Sequence, residues 1–232
     1  MKEIDLSLVI PFFNEEKNVE EVLKRLVAHL NGKKIKFEVL AVDNGSFDNT
    51  GSIIDGLKAK DSRIKKIRIE KNQGYGYAIN KGLLMCKGNY IGYLWGDNQI
   101  PPEVIIKILD ALKNEQADLC KIWRKSRTES LTRKIESFIY NGLMKILFGL
   151  ESKDVNGCPK IMKSGIYRPL NIKSSDWFID AEIMIKCNDR GYKIKEIPVK
   201  PTKRKAGISK VNFMTTLEFF KNILKYRLFG LK

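Results

Sequence analysis

Four groups of residues in this 232-residue chain have the side-chain types and spacing that bind phosphate, metal or a base. Asp43-Asn44-Gly45-Ser46-Phe47-Asp48 follows an apolar run. A carboxylate there accepts hydrogen bonds from a nucleobase edge while Gly45 allows the turn, and an ordinary Asx turn uses the same residues. Trp95-Gly96-Asp97-Asn98-Gln99 places Asp97 and Gln99 two apart, each offering oxygen to a hard cation. Mg2+ or Mn2+ takes few protein ligands and completes its shell with phosphate oxygens and water; a plain polar loop has the same composition. Arg204-Lys205-Ala206-Gly207-Ile208-Ser209-Lys210 is basic and suits a diphosphate, as well as solvent. Arg133 and Ser137 stand four apart and share one helical face.

The elements that must position these groups follow from hydrophobic period. Leu6 to Phe12, Phe37 to Val42, Ile64 to Ile69 and Tyr90 to Trp95 read as buried strands. Between them, helices are predicted from about Glu15, from the Asp48-Asn49-Thr50 cap to about Lys60, and from the Asn72–Gly76 loop through Lys87. Pro101 and Pro102 favour a helix start. This alternation predicts a mostly parallel sheet flanked by helices, with ligands beyond the carboxyl ends of the strands, where Asp43 and Asp97 both fall. Leu131 to Leu150 is a predicted helix with an apolar face that suits either lipid or the sheet. A strand–helix–strand segment spans Asp154 to Val199, and a last helix runs from about Val211 to Phe229.

Composition narrows the chemistry. The 43 Lys and Arg against 27 Asp and Glu leave +16, which calls for a phosphorylated substrate or an anionic membrane, or describes solvated lysine-rich faces. Nucleic acid is not the expected partner, because there is no base-reading motif or aromatic ribbon. One histidine, His29, and four scattered cysteines make neither a zinc site nor histidine catalysis, and reduced thiols suit a cytoplasmic protein. Met1-Lys2-Glu3-Ile4-Asp5 leads straight into a strand, so no signal peptide is expected, and no apolar run approaches the roughly 20 residues that span a bilayer.

Taken in order, the motifs form a pattern. Pro11-Phe12-Phe13-Asn14-Glu15 and Val42 to Asp48 come first, then Asn72-Gln73-Gly74, then Gly96 to Gln99 with Pro101-Pro102-Glu103. Asp154-Val155-Asn156-Gly157, Phe178 to Glu182, Gly191-Tyr192, Glu196 to Val199 and Arg204 to Lys210 complete it. The set resembles family 2 glycosyltransferases, in the dolichyl-phosphate mannose synthase-like branch, from about residue 4 to residue 212. The resemblance implies an α/β GT-A (Rossmann-like) sheet. It implies that Pro11, Glu15 and Asp43 line the nucleoside pocket, with Trp95 and Gly96 beside the donor. Asp97 and Gln99 would hold Mg2+ or Mn2+, and Arg204, Ser209 and Lys210 would cover the diphosphate. Arg124, Arg133 and Ser137 would hold the acceptor phosphate, in a segment with Lys121, Arg127 and Tyr140-Asn141. Asp97, Asp154 and Arg204 would be the catalytic residues, Asp154 near the sugar ring. Two positions depart from the pattern: Trp95 replaces the first acid of Asp-x-Asp, and Asn44 replaces the second acid after the second strand.

The implied reaction is an inverting transfer from a nucleotide-diphosphate sugar (GDP-mannose or UDP-hexose) to a polyprenyl or dolichyl phosphate. An acceptor phosphate needs no strong base, whereas a hydroxyl would call on Asp154, Asp180 or Glu182. A growing glycan as acceptor and a non-catalytic sugar-nucleotide-binding protein are the alternatives. A domain from 1 to 210 and an amphipathic helix from 211 to 232 are expected. Phe213, Leu217, Phe220, Leu224 and Leu228 line one side of that helix, with Lys221, Lys225, Arg227 and Lys232 flanking it. Such a helix lies on an anionic cytoplasmic membrane surface or docks on an anchor subunit.

Overall fold

The computed structural model describes residues 4–125, 131–200 and 213–230; side-chain placement at 131–133, 213–217 and 229 is outside the description. Four strand–helix units open the chain. They are β1 (Leu6–Phe12) with α1 (Val19–Asn31), β2 (Phe37–Asn44) with α2 (Thr50–Lys60), β3 (Ile64–Ile69) with α3 (Tyr75–Met85), and β4 (Tyr90–Tyr93) with α4 (Glu103–Asn114). Next come β5 (Leu119–Arg124), α5 (Leu131–Phe148), β6 (Lys160–Lys163), α6 (Ser164–Leu170), α7 (Ile179–Asp189), β7 (Ile194–Val199) and α8 (Phe213–Phe229).

Seven strands form one sheet in the order β3-β2-β1-β4-β6-β5-β7. β1 and β2 are apolar nearly throughout and buried almost end to end, as strands covered on both faces must be. Pairing is parallel except at β6, which runs against both neighbours. Reversal makes β6 begin at the edge where the other strands end. The loop that leads into β6, residues 154–159, therefore joins the carboxyl-end loops.

Several element ends differ from the sequence reading. α1 begins at Val19 because residues 13–16 are spent in a turn, and β4 ends at Tyr93, although the Leu94 N–H still donates to the Val9 carbonyl at 3.1 Å. β5 was not expected as a strand, because its Lys121 interrupts the apolar run. α5 buries Tyr140 and Met144 and exposes Ile135, Phe138, Ile139 and Ile146, so its apolar residues divide between two faces. α8 buries Ile223 and sets Phe219 on Tyr140 and Tyr226 on Phe148 and Phe178, leaving Leu224 and Leu228 exposed.

Candidate active site

The loops after β1 and β2 are laced together. The Asn14 N–H donates to Ser46 Oγ at 3.1 Å, the Glu15 N–H to Thr50 Oγ1 at 2.8 Å and the Glu16 N–H to Asp48 Oδ2 at 3.1 Å. In return the Phe47 N–H donates to Asn14 Oδ1 at 3.1 Å. Asn14 takes a left-handed φ of 52°, which asparagine tolerates better than most residues. The Glu15 carboxylate accepts from Asn18 Nδ2 at 2.7 Å. Pro11 lies in register with Val42, and Phe12 with Asp43.

Asp43 is fully buried. Its Oδ1 accepts the Ser46 N–H at 3.0 Å, the Asx-turn bond, while Oδ2 pairs with Arg68, its register partner on β3. The expected nucleobase acceptor thus already has two protein donors. Gly45, at φ 78°, brings its backbone against residues 71 and 72, where a Cβ would come within 2.4 Å of the Asn72 nitrogen. Asn44 closes that contact by donating to Asn72 Oδ1 and the Gly74 carbonyl, both at 3.0 Å.

Gly96 packs on the Phe12 ring and near the Pro11 carbonyl, which joins the end of β4 to the end of β1. Asp97 is buried and its Oδ1 accepts the Gln99 N–H at 3.2 Å, across a turn made by Asn98 at φ 60°. Asp97 and Gln99 offer a hard, all-oxygen donor pair, which fits Mg2+ or Mn2+. Among the described residues no group of three His, Cys, Asp or Glu side chains is placed to hold a metal. The pair therefore suits a cation shared with substrate phosphates.

Asp154, in the loop that leads into β6, is buried and bound by Arg124 at the end of β5. Arg124 Nε donates to Oδ2 at 2.7 Å, Nη2 to Oδ1 at 3.0 Å, and the Arg124 backbone N–H to Oδ2 at 3.2 Å. The other face of the guanidinium lies 5.1 Å from the Trp95 ring centre. Trp95, expected beside the donor, meets Arg124 here. Two sequence-predicted residues, one assigned to the sugar and one to the acceptor, are thus partners of each other.

Beneath them runs a row of polar residues whose alignment sequence reasoning missed, although Lys121 and Glu196 stood in its motifs. Register sets Tyr93, Lys160, Lys121 and Glu196 side by side across β4, β6, β5 and β7. Lys121 is fully buried, donates to the Asp154 carbonyl at 2.5 Å and pairs with Glu196 at 2.7 Å. Glu196 also accepts from Ser152 Oγ at 2.6 Å and from the Lys153 N–H at 3.0 Å. Lys160 pairs with Asp180, to which the Tyr93 hydroxyl donates at 2.7 Å. Burial lowers the Lys121 pKa, and neighbouring Lys160 adds to the effect. For Glu196 burial acts upward, but Lys121 and the hydrogen bonds outweigh it and hold the carboxyl low. A lysine inside an otherwise apolar strand, Leu119-Cys120-Lys121-Ile122, was the available signal.

Beside this row opens a cleft of about 770 Å³, lined by Arg124, Lys125, Lys134, Ser137, Lys145 and Lys153 among others. Asn141 ties its wall together, donating to Ser137 Oγ at 3.2 Å and accepting the Val155 N–H at 2.8 Å. Thus Arg124 and Ser137 do share one cleft. Arg204, Ser209, Lys210 and Arg127 lie outside the described residues, as does the Arg133 side chain.

Two further polar atoms face inward. The Tyr75 hydroxyl and Asn156 Oδ1 are buried, the hydroxyl beside Trp95 and the amide beside the Tyr140 hydroxyl. Tyr75 stacks on Trp177 at 4.3 Å, and burial together with the Asp180 charge raises its pKa well above the ordinary value, so it remains a donor.

Residues 7–170 match the description Glycosyl transferase family 2. An uncharacterized protein of Methanocaldococcus jannaschii is 32% identical over 230 residues, covering 94% of this chain and 97% of the other. Undecaprenyl-phosphate 4-deoxy-4-formamido-L-arabinose transferase of Edwardsiella ictaluri is 28% identical over 221 residues, and this match spans 94% of this chain but 66% of that enzyme's length. Glucosyl-3-phosphoglycerate synthase of Mycobacterium tuberculosis, solved with Mn2+, UDP-glucose and phosphoglyceric acid, superposes with a TM-score of 0.74 at 16% identity. That superposition covers 97% of this chain and 80% of the other, and it establishes a shared GT-A sheet.

Proposed function

Since the chain belongs to glycosyl transferase family 2 and is a glycosyltransferase, we propose that it moves a sugar from a nucleotide diphosphate onto a polyprenyl phosphate. The observation that carries this reading is the neighbourhood of the cleft. Lysines and Arg124 line it, and α5, which forms its wall, exposes Phe138 and Ile146 to solvent at 82% and 80%. Cations suit a phosphate, and an apolar helix surface suits a lipid tail and the bilayer that holds it. The Edwardsiella ictaluri relative, named for an undecaprenyl-phosphate acceptor, supports the same choice.

The carboxylates support it from another direction. A hydroxyl acceptor needs a base, and Asp154, Asp180 and Glu182 were the candidates. Asp154 is bound to Arg124, Asp180 to Lys160 and Tyr93, and Glu182 to Lys186 and the N–H groups of Lys173 and Ser174. Such commitments favour an acceptor that is already ionised.

In this reading the acceptor phosphate enters the lysine-lined cleft and displaces the diphosphate in line, with inversion. Asp97 and Gln99 would hold Mg2+ or Mn2+, which would supply electrostatic stabilisation for a departing diphosphate. Arg204, Ser209 and Lys210 close over the same diphosphate. Pro11, Glu15, Asp43 and Gly96 border the nucleoside side. No helix among the described residues is long and apolar enough to cross a membrane, so contact through the outer faces of α5 and α8 is the proposed attachment to the cytoplasmic leaflet.

A panel of radiolabelled UDP- and GDP-sugars, incubated with Mn2+ and undecaprenyl phosphate, tests the reading. Label should pass to the organic phase with one donor, and Asp97→Asn should cut the rate about 100-fold or more. Label appearing on a soluble glycan instead, or tight nucleotide binding without any transfer, would overturn it.

A further inference from the structure

We propose that Trp95 is a positioning residue for Arg124, and that the pair couples the donor end of β4 to the acceptor cleft. This rests on the function proposed above. Arg124 is gripped in two directions: Asp154 takes its edge through bonds of 2.7 and 3.0 Å, and the Trp95 ring covers its face at 5.1 Å. A flat guanidinium is suited to this combination, because edge and face bind different partners at once.

Asp154 in turn is fixed from below. Its carbonyl accepts from Lys121 at 2.5 Å and from the Gly157 N–H at 2.7 Å. The carboxylate also accepts the Arg124 backbone N–H at 3.2 Å, which holds the edge of the guanidinium in place, and the indole bounds it on another side. Asp154 also matches the Arg124 charge. Glu151, also in the cleft lining, likewise matches Lys145, so attraction for an incoming phosphate comes chiefly from Lys125, Lys134 and Lys153, and Arg124 contributes shape and direction.

Trp95 precedes Gly96 and Asp97, whose backbone packs on the end of β1. One rigid turn thus carries the metal-binding carboxylate and the surface against which the cleft arginine rests. A carboxylate at position 95 would instead compete with Asp154 for the guanidinium and add charge beside Asp97.

The test is a double-substitution cycle on the full chain, reading the KM for undecaprenyl phosphate and, separately, calorimetric binding of farnesyl phosphate. Trp95→Phe keeps an aromatic face and should stay within about 3-fold of the wild type. Trp95→Ala should weaken both readouts by about 3- to 30-fold, while affinity for UDP or GDP with Mn2+ changes less than about 2-fold. In an Arg124→Lys background, which loses the flat face, Trp95→Ala should add nothing. Effects that multiply in the double variant, or a loss confined to nucleotide affinity, would overturn the coupling while leaving the enzyme reading intact. A wild type that neither transfers sugar to the lipid nor binds farnesyl phosphate would overturn the proposed function, and this inference with it.

Discussion

At Asn44 the amide nitrogen donates to two oxygens at 3.0 Å while the amide oxygen accepts the Gln73 N–H at 3.3 Å. An aspartate could accept but not donate, and its second oxygen would face the Asn72 and Gly74 oxygens. Asn44→Asp should therefore destabilise the fold by about 2–4 kcal/mol, read from urea unfolding at neutral pH. The amide at this position is thus a structural clasp on the 72–74 loop. The sequence showed that the residue was unusual but not which atoms it served, because residues 44 and 72 are far apart in the chain. The spacing of Asp97 and Gln99 is visible in the sequence, and the fold adds the bond from the Gln99 N–H to the Asp97 carboxylate. Asp154 and Arg124 were each noticed, yet their pairing was hidden, since only the reversed strand brings residue 154 beside residue 124.

Between elements, the Lys121–Glu196 pair joins β5 to β7 and braces the loop that carries Asp154. Lys121→Met leaves the Glu196 carboxylate without its charge partner and should cost about 3–5 kcal/mol, and adding Glu196→Leu should recover much of that. The low pKa of Glu196 also sets a sign. Its contribution is fully present above the ordinary glutamate value of about 4.3 and is lost as the pH falls through its depressed folded value. Urea unfolding of wild type and Glu196→Gln from pH 7 to 3 should show the stability gap closing below about pH 4.3. A gap that stays constant would contradict the pairing. The four opening strand–helix units were legible from periodicity, because each has its own apolar run and turn. β5 was not, because it carries a buried lysine that only the folded sheet neutralises, while β6 was expected only as part of the strand–helix–strand segment from 154 to 199.

For the molecule as a whole, six of the nine exposed large apolar side chains among the described residues lie on two neighbouring helices, α5 and α8, whose inner faces meet through Tyr140–Phe219 and Phe148–Tyr226; Phe47, Leu84 and Met85 lie elsewhere. Lys134, Lys145, Lys221 and Lys225 flank that surface and are exposed. The protein should sediment with anionic vesicles, less so at high salt, at about 1 kcal/mol for each basic residue engaged. Phe138→Ser and Ile146→Ser should each weaken binding about tenfold, and indifference to both would place the contact elsewhere. The place of β6 in the sheet has a consequence for synthesis on the ribosome. β1 to β4 can pair with one another as they emerge, and only β4 still waits for a second partner, β6. β5 cannot, because both its neighbours, β6 and β7, are encoded downstream of it. A nascent chain thus carries an orphan strand for at least the 35 residues between Arg124 and Lys160, with Lys121 still hydrated, until the reversed strand arrives to seat it.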